Sequence, residues 1–183
     1  MLNRLFPGRV TVGVGHGVQS WMRQVGAAAE SPMTLLREHL TALRALLRGE
    51  RMTVDGRYVR LDEVALEWPP SESPLVLPAA TGDRTLRLSG EAADGTILVA
   101  ATGTDEVRRA RALIDEGRAR GDRTDEHRLV VYMAVAALDA AEAASNVRAL
   151  VEAGAAAVVL QPAEGADIDP VDLVRFTGGL RVG

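Results

Sequence analysis

The sequence predicts an α/β protein whose core is a sheet of parallel strands. Four segments in the second half of the chain are almost continuously apolar, and segments with helical patterns separate them. Strands that are apolar throughout are typical of a sheet covered on both faces, and strands that alternate with helices are joined by right-handed parallel crossovers. The predicted strands are Pro74 to Ala80, Gly95 to Thr102, Arg128 to Ala136 and Ala155 to Pro162, and the helical patterns cover Arg84 to Ala93, Thr104 to Arg120 and Ala140 to Ala153.

A fifth strand and a long helix are predicted in the first half of the chain. Val10 to Val14 is a short, β-branched run closed by glycines, which is typical of a buried strand. Ser31 and Pro32 fit the N-cap and first position of a helix, and Gly49 fits its C-terminal cap. One face of this helix is predicted to carry Leu36, Leu40, Leu43 and Leu47.

Residues 50–73 are predicted to form a small surface insertion. Two alternating segments flank Asp55-Gly56, a dipeptide favoured in tight hairpin turns because both positions tolerate positive φ. The stretch EWPPSESP, Glu67 to Pro74, contains three prolines and two serines and is predicted to be a connector without regular structure.

Two parallel architectures fit this pattern, the doubly wound sheet and the closed (β/α)8 barrel. Counting Val10 to Val14, the 183 residues contain five predicted core strands. A complete barrel takes about 250 residues, so the chain is about three βα units short of one. We expect one domain over residues 1–183 in either case.

The composition excludes several classes of chemistry. The chain has no cysteine, and all 21 basic residues are arginine, which excludes disulfides, thiol catalysis, Schiff-base lysines and a P-loop lysine. A net charge of −4 argues against nucleic acid and anionic membranes as partners. No apolar run is long enough to cross a membrane, and the expected location is the cytoplasm.

Glycine-rich or small-residue loops follow three predicted strands. Gly13, Gly15 and Gly17 do not fit the dinucleotide fingerprint, whose third glycine would fall on Val18 or Ser20. The loop Ala79 to Gly82 could receive a phosphate at the following helix N-terminus, or could be a turn that needs its glycine. Ala100 to Gly103 repeats that pattern, but Asp105 and Glu106 favour simple capping there.

The histidines offer one candidate for proton transfer. His16 lies at a strand end between glycines, where it could act on a proton or only bond within its loop. His39 lies within the long helix and His127 in a polar stretch, so both are predicted to be structural or solvated. No two histidines have metal-ligand spacing, and no metal site is predicted. Asp94-Gly95 precedes a strand, away from the usual ligand side, and is predicted to be structural.

Three stretches together resemble the luciferase-like monooxygenase superfamily, most of all its deazaflavin-dependent branch with methylenetetrahydromethanopterin reductase. They are LFPGRVTVGVGHG, LREHLTALRALLRGERMTVDGRYVRL and PLVLPAATGDRTLRLSGEAADGTILVA. The resemblance implies a (β/α)8 barrel that binds coenzyme F-420 or FMN at the carboxyl ends of its strands. It implies hydride transfer between the cofactor and a small organic substrate, or oxygen activation by reduced flavin.

The resemblance also assigns candidate site residues. The cofactor phosphate loop of the family falls on Ala79, Ala80, Thr81, Gly82 and Asp83, although an acid beside a phosphate departs from expectation unless it points away. Gly15, His16, Gly17 and Trp21 match the loop that lines the cofactor pocket, and His16 is the catalytic candidate.

By the same resemblance, Val10 to Val14 would be the fourth barrel strand, and the later four would be the fifth to the eighth. The first three units of the family fold, about a third of it, would be missing. The edges at Val10 to Val14 and Ala156 to Leu160 would then be open and prone to pairing. We therefore expect a homo-oligomer, or a chain that depends on the missing units; the alternative is a truncated, non-catalytic homologue.

Overall fold

The structure is a computed structural model, and it describes residues 2–99 and 103–181. From Leu75 onward, strands and helices alternate as predicted. The helices are α1 (Leu2–Leu5), α2 (Gln19–Gln24), α3 (Pro32–Leu47), α4 (Asp83–Ala92), α5 (Thr104–Arg120), α6 (Ala140–Glu152) and α7 (Pro170–Gly179). The strands are β1 (Thr11–Val14), β2 (Met52–Asp55), β3 (Arg60–Val64), β4 (Leu75–Pro78), β5 (Gly95–Leu98), β6 (Arg128–Val135) and β7 (Ala157–Pro162).

Five strands run parallel and follow one another in chain order. β1 pairs with β4, and β6 pairs with both β5 and β7. A parallel bridge from Ala79 to Ile97 joins β4 to β5, and Ala80 N donates to Ile97 O at 3.0 Å. The order β1, β4, β5, β6, β7 contains no reversal within the described residues. It is the order found in the wall of a (β/α)8 barrel and differs from that of a doubly wound sheet.

The interior of this sheet is buried and its two edges are not. Val76 and Leu77 of β4 and Leu129 and Val131 of β6 have no exposed surface. Residues of β1 and β7 alternate between exposed and half-buried, in agreement with the predicted open edges. Val159 of β7 keeps 37% of its surface.

Two apolar clusters hold the helices on the sheet. The larger one packs α5 on the sheet through Val107 and Ile114, which are completely buried. The smaller one packs α3 on β4 through Leu36 and Leu40, with Leu43 and Leu47 half-buried beside them. Burial of each such side chain contributes about 2 kcal/mol. The predicted apolar face of α3 is confirmed, and Gly49 follows the helix with a φ of +83°.

Helices α4 and α5 cross at close range through glycines. A Cβ at Gly90 would overlap the carbonyl oxygen of Ile114, and one at Gly117 would overlap that of Arg87. Neither helix could tolerate a larger residue at the crossing without moving away. This contact fixes the position of α4, whose first turn borders the site described below.

Strands β2 and β3 form an antiparallel hairpin within residues 50–73, and its turn differs from the prediction. Asp55 pairs with Arg60, so four residues connect the strands, and neither Asp55 nor Gly56 has a positive φ. The carboxylate of Glu38 on α3 accepts hydrogen bonds from the backbone N–H groups of Arg57, Tyr58 and Val59. A Cβ at Gly56 would lie 2.6 Å from Glu38 Oε2 and 2.9 Å from the carbonyl oxygen of Val59, so the turn has little room for a side chain there.

Some predicted boundaries lie further out than the observed ones. The strand predicted over Gly95 to Thr102 ends at Leu98, and residues 100–102 of the predicted third loop lie outside the described residues.

In the part of the chain that the structure describes, no helix is both long enough and apolar enough to cross a membrane.

Candidate functional site

The loops after β1 and β4 leave the sheet side by side. Val14 and Pro78 are opposite each other at the ends of two parallel strands, and Ala79 N donates to Val14 O at 2.8 Å. The loops that follow are Gly15 to Gly17 and Ala79 to Gly82. Two loops that the sequence separates by more than sixty residues therefore meet at the carboxyl edge of the sheet.

An open pocket of about 660 Å³ lies between these loops. A volume in this range accommodates a molecule the size of a cofactor. Most of its wall consists of glycine, alanine and valine, which leave the backbone close to any molecule inside. The lining residues are Gly13, Val14, Gly15, His16, Gly17, Val18, Ala79, Ala80, Thr81, Gly82, Thr85 and Val99.

The glycines of the pocket serve different purposes. Gly17 has a φ of +71°, and a Cβ there would lie 2.5 Å from Met22 Sδ, so the loop itself requires glycine. At Gly82 a Cβ would meet nothing within 4 Å, and at Gly15 the nearest atom would be 4.0 Å away. Local packing does not explain Gly15 and Gly82, which leave open space in the pocket.

Helix α4 begins at the pocket without a side-chain cap. Gly82 is its N-cap, and the first intrahelical bond runs from Leu86 N to Gly82 O. The preceding N–H groups carry the partial positive charge of a helix N-terminus, which attracts anions. The Asp83 carboxylate does not cap them, because it accepts a hydrogen bond from Arg109 on α5 at 2.5 Å. It points away from the pocket, as a phosphate site would require.

His16 is held in the pocket by both ring nitrogens. Its Nδ1 lies 3.0 Å from the carbonyl oxygen of Gly17, and its Nε2 lies 3.5 Å from the hydroxyl of Thr85. The side chain of Gln19 donates to the carbonyl oxygen of His16 at 3.2 Å and steadies the loop from outside. His16 is half-buried, so a ligand in the pocket can contact the ring.

Seven of the nine predicted site residues line this pocket, and two do not. Trp21 lies on α2 with 65% of its surface exposed and is not part of the lining. Asp83 borders the pocket but faces α5. Thr85, which is 6% exposed and lies in the first turn of α4, was not among the predicted site residues. Its position three residues after Gly82 was the available signal, since that spacing returns to the same helix face.

The opposite end of the sheet carries a buried polar chain. His127 is 3% exposed, and its Nε2 lies 2.8 Å from Thr96 Oγ1, which in turn lies 2.5 Å from Ser89 Oγ. Ser89 donates its only hydroxyl hydrogen to the carbonyl oxygen of Gly95 at 2.9 Å. Thr96 must therefore donate to Ser89, and His127 Nε2 must carry the hydrogen that Thr96 accepts.

This arrangement makes His127 a structural residue. Desolvation by burial, with nearby Arg118 and Arg111, lowers the pKa of His127 to about 4. Its Nδ1 is buried and has no hydrogen-bond partner in the described structure, so a proton there would be buried without an acceptor. His127 is buried within the protein, where the sequence had left open a solvated position.

Asp94 joins three elements at the same amino end. It accepts hydrogen bonds from Arg44 Nε of α3 and from Val76 N of β4, both at 3.0 Å. Arg123 lies 3.6 Å from the same carboxylate. The predicted structural role of Asp94-Gly95 agrees with these contacts. Among the described residues, no cluster of histidine and carboxylate side chains could hold a metal ion.

The chain is similar to known proteins over most of its length. The profile of the luciferase-like monooxygenase family matches residues 1–172. The 5,10-methylenetetrahydromethanopterin reductase of Methanolobus tindarius is 30% identical over 177 residues, which are 91% of this chain and 54% of that protein. The F-420-dependent glucose-6-phosphate dehydrogenase of Intrasporangium calvum is 32% identical over 130 residues, 67% of this chain and 39% of that protein.

A solved structure supports the fold. The coenzyme F-420-dependent tetrahydromethanopterin reductase of Methanopyrus kandleri superposes with a TM-score of 0.71 at 16% identity, covering 96% of this chain and 74% of that one. At this identity the likeness concerns the fold alone. The chain spans about half the length of the methanopterin reductase from Methanolobus tindarius and less of the dehydrogenase.

Proposed function

This chain belongs to the luciferase-like monooxygenase family, and we propose that it provides the cofactor pocket of an oxidoreductase that uses coenzyme F-420. One observation carries the proposal, the meeting of the Gly15 to Gly17 and Ala79 to Gly82 loops around one open pocket. The F-420-dependent dehydrogenase of Intrasporangium calvum supports the choice of cofactor.

The residues of the pocket fit such a cofactor. The uncapped N-terminus of α4 suits an anionic group such as a phosphate, and Gly82 leaves space above it. Gly15 and Gly17, with Val14 and Val18, offer an apolar wall for a flat ring. When bound, the deazaflavin supplies hydride transfer to or from a carbon of a small organic substrate.

The protein's own contribution is to bind, orient and handle protons. The two loops would fix the cofactor at the sheet edge, and His16 would hold or accept a proton at the pocket wall. Asp83 would act indirectly, since its pairing with Arg109 keeps a negative charge off the anion site. FMN is the alternative occupant, because its phosphate and ring would make the same demands.

The open sheet edges favour a function that depends on further protein segments covering these edges. Each of β1 and β7 pairs on one side only within the described residues. We propose that the five parallel strands are the fourth to the eighth of a barrel, in one domain over residues 1–183. Three further βα units, from the same polypeptide or from a partner, would cover the edges. Without them this chain would form a homo-oligomer or lack catalytic activity.

The proposal is tested by titrating the purified chain with coenzyme F-420 and, separately, with FMN, and following fluorescence. Saturable binding of F-420 is expected, with weaker or no binding of FMN. Tighter binding of FMN would replace the cofactor assignment. If circular dichroism shows a folded protein and neither cofactor binds, this chain is not a cofactor-binding enzyme by itself.

A further inference from the structure

Thr85 is the polar neighbour of His16 that the proposed function does not use. Its hydroxyl group is buried on α4, 3.5 Å from His16 Nε2 and 3.6 Å from Met33 Sδ. The contact with Nε2 is long for a hydrogen bond, and a hydroxyl has one hydrogen to share between the two acceptors. Thr85 can therefore donate to one of these atoms at a time.

The other ring nitrogen decides the tautomer of His16. A carbonyl oxygen only accepts hydrogen bonds, so the contact with Gly17 O places a hydrogen on Nδ1. In the neutral ring, Nε2 then carries the lone pair. The lone pair faces Thr85 in the pocket wall, and Nε2 is the atom of His16 that can take up a proton.

The hydroxyl of Thr85 suits both protonation states of Nε2. With Nε2 bare, the hydroxyl turns to it and donates its hydrogen. After Nε2 takes up a proton, the Thr85 oxygen accepts from the new N–H and its own hydrogen turns to Met33 Sδ. No hydrogen is gained or lost by Thr85 in this change, and the imidazole ring keeps its orientation throughout.

We propose that Thr85 is a positioning residue, which holds the ring of His16 and follows the protonation of Nε2 by rotation of its hydroxyl, while the carbonyl oxygen of Gly17 keeps the neutral ring in the Nδ1-protonated tautomer. This inference rests on the proposed role of His16 in the pocket. It explains why a hydroxyl group is buried at residue 85. It also distinguishes His16 from His127, whose contacts require a hydrogen on Nε2.

The tautomers are read directly by 15N NMR of the histidine side chains at alkaline pH, where imidazole is neutral. We expect a protonated Nδ1 and a bare Nε2 in His16, and the reverse in His127. Substitutions His16→Gln and His127→Gln assign the signals. A protonated Nε2 in wild-type His16 would overturn the inference without any change at Thr85.

Substitutions at and beside Thr85 test the positioning itself. Thr85→Val should shift the Nε2 resonance of His16 toward that of a lone pair without a partner, and Thr85→Ser should restore it. Met33→Leu removes the competing acceptor and should move the same resonance in the opposite direction, whether or not Thr85→Val folds. An unchanged Nε2 resonance in Met33→Leu and Thr85→Val, or no recovery in Thr85→Ser, contradicts the inference.

Cofactor titration of the same samples separates this inference from the proposed function. Absence of F-420 binding, together with the expected shifts in Thr85→Val and Met33→Leu, would overturn the function and leave the Thr85 contact established. Binding of F-420 together with a protonated Nε2 in neutral His16 would overturn the inference about Thr85 and leave the proposed function standing.

Discussion

The two ends of the parallel sheet each carry a threonine beside a histidine, in opposite settings. At the carboxyl end, Thr85 and His16 border an open pocket, and the hydroxyl has two competing acceptors. At the amino end, Thr96 and His127 are buried in a hydrogen-bond chain with one consistent direction. Every hydrogen bond of the Thr96–His127 pair has one possible direction, and this pair is a fixed part of the fold. The hydroxyl of Thr85 can donate to either of two acceptors, and this pair can therefore rearrange.

The glycines at the two ends of the sheet differ in the space that surrounds them. A Cβ at Gly95, at the amino end, would overlap the carbonyl oxygen of Arg128 and lie 2.9 Å from Leu77. A Cβ at Gly82, at the carboxyl end, would meet open space. A substitution at Gly95 should therefore reduce stability, whereas one at Gly82 should reduce binding.

Gly95→Ala is expected to have the largest effect on stability. The added methyl group pushes β5 away from β6, and overpacking of this kind costs about 3 kcal/mol. Urea denaturation followed by circular dichroism measures the loss. An unfolding free energy within about 0.5 kcal/mol of the wild type would show that the strands can separate without penalty.

Asp94→Ala is expected to cost about 2 to 3 kcal/mol, because it leaves Arg44 and the N–H of Val76 without their acceptor. The matched control is Asp105→Ala, whose ion pair with Arg108 is exposed and should contribute little. Both are measured by the same urea denaturation. Equal losses in the two variants would contradict a structural role for Asp94.

His127 should make stability fall in mild acid. The pKa of His127 is about 4 in the folded protein, below the ordinary value of 6.5. Between these two values the unfolded chain binds a proton at His127 and the folded chain does not. Between about pH 7 and about pH 5 this group should remove about 2 kcal/mol of stability.

His127→Gln provides the reference for this pH dependence. Glutamine keeps a donor for Thr96 but does not titrate, so the variant should lose less stability over the same interval. His16 and His39 are present in both proteins, and their contributions cancel in the comparison. Parallel pH curves for the wild type and the variant would contradict the burial argument.

Gly82→Ala is expected to have the smallest effect on stability and a large one on binding. Gly82 has φ −89° and ψ 147°, which alanine adopts freely, so the change in unfolding free energy should stay within about 1 kcal/mol. The methyl group enters the pocket and should weaken F-420 binding about tenfold, a loss of about 1.4 kcal/mol. A stability loss as large as that of Gly95→Ala would remove the distinction between the two ends.

Periodicity and glycine placement were sufficient to predict the parallel strands and helix α3, because both signals depend on residues that are close together in the chain. The two loops were assigned to a cofactor pocket through the family resemblance. The turn at Gly56 could not be predicted, because its shape depends on the Glu38 carboxylate from another element. The direction of Asp83 was equally out of reach, since it depends on Arg109 of α5.

The histidines show the same limit. His127 follows a polar stretch, and only the sheet pairing reveals that its ring lies beneath β5 against Thr96. Thr85 joins the site because the crossing of α4 and α5 fixes the rotation of α4. Contacts between elements, which leave no periodic signal in the sequence, decided both positions.

The most direct test of the account is a titration of the 15N-labelled chain with coenzyme F-420, followed residue by residue in amide spectra. Saturable shifts are expected for the amides of residues 13–18 and 79–86, and none around Asp94, Thr96 and His127. Shifts concentrated at the amino end, or a folded protein with no shifts at all, would contradict the assignment of the carboxyl end as the site.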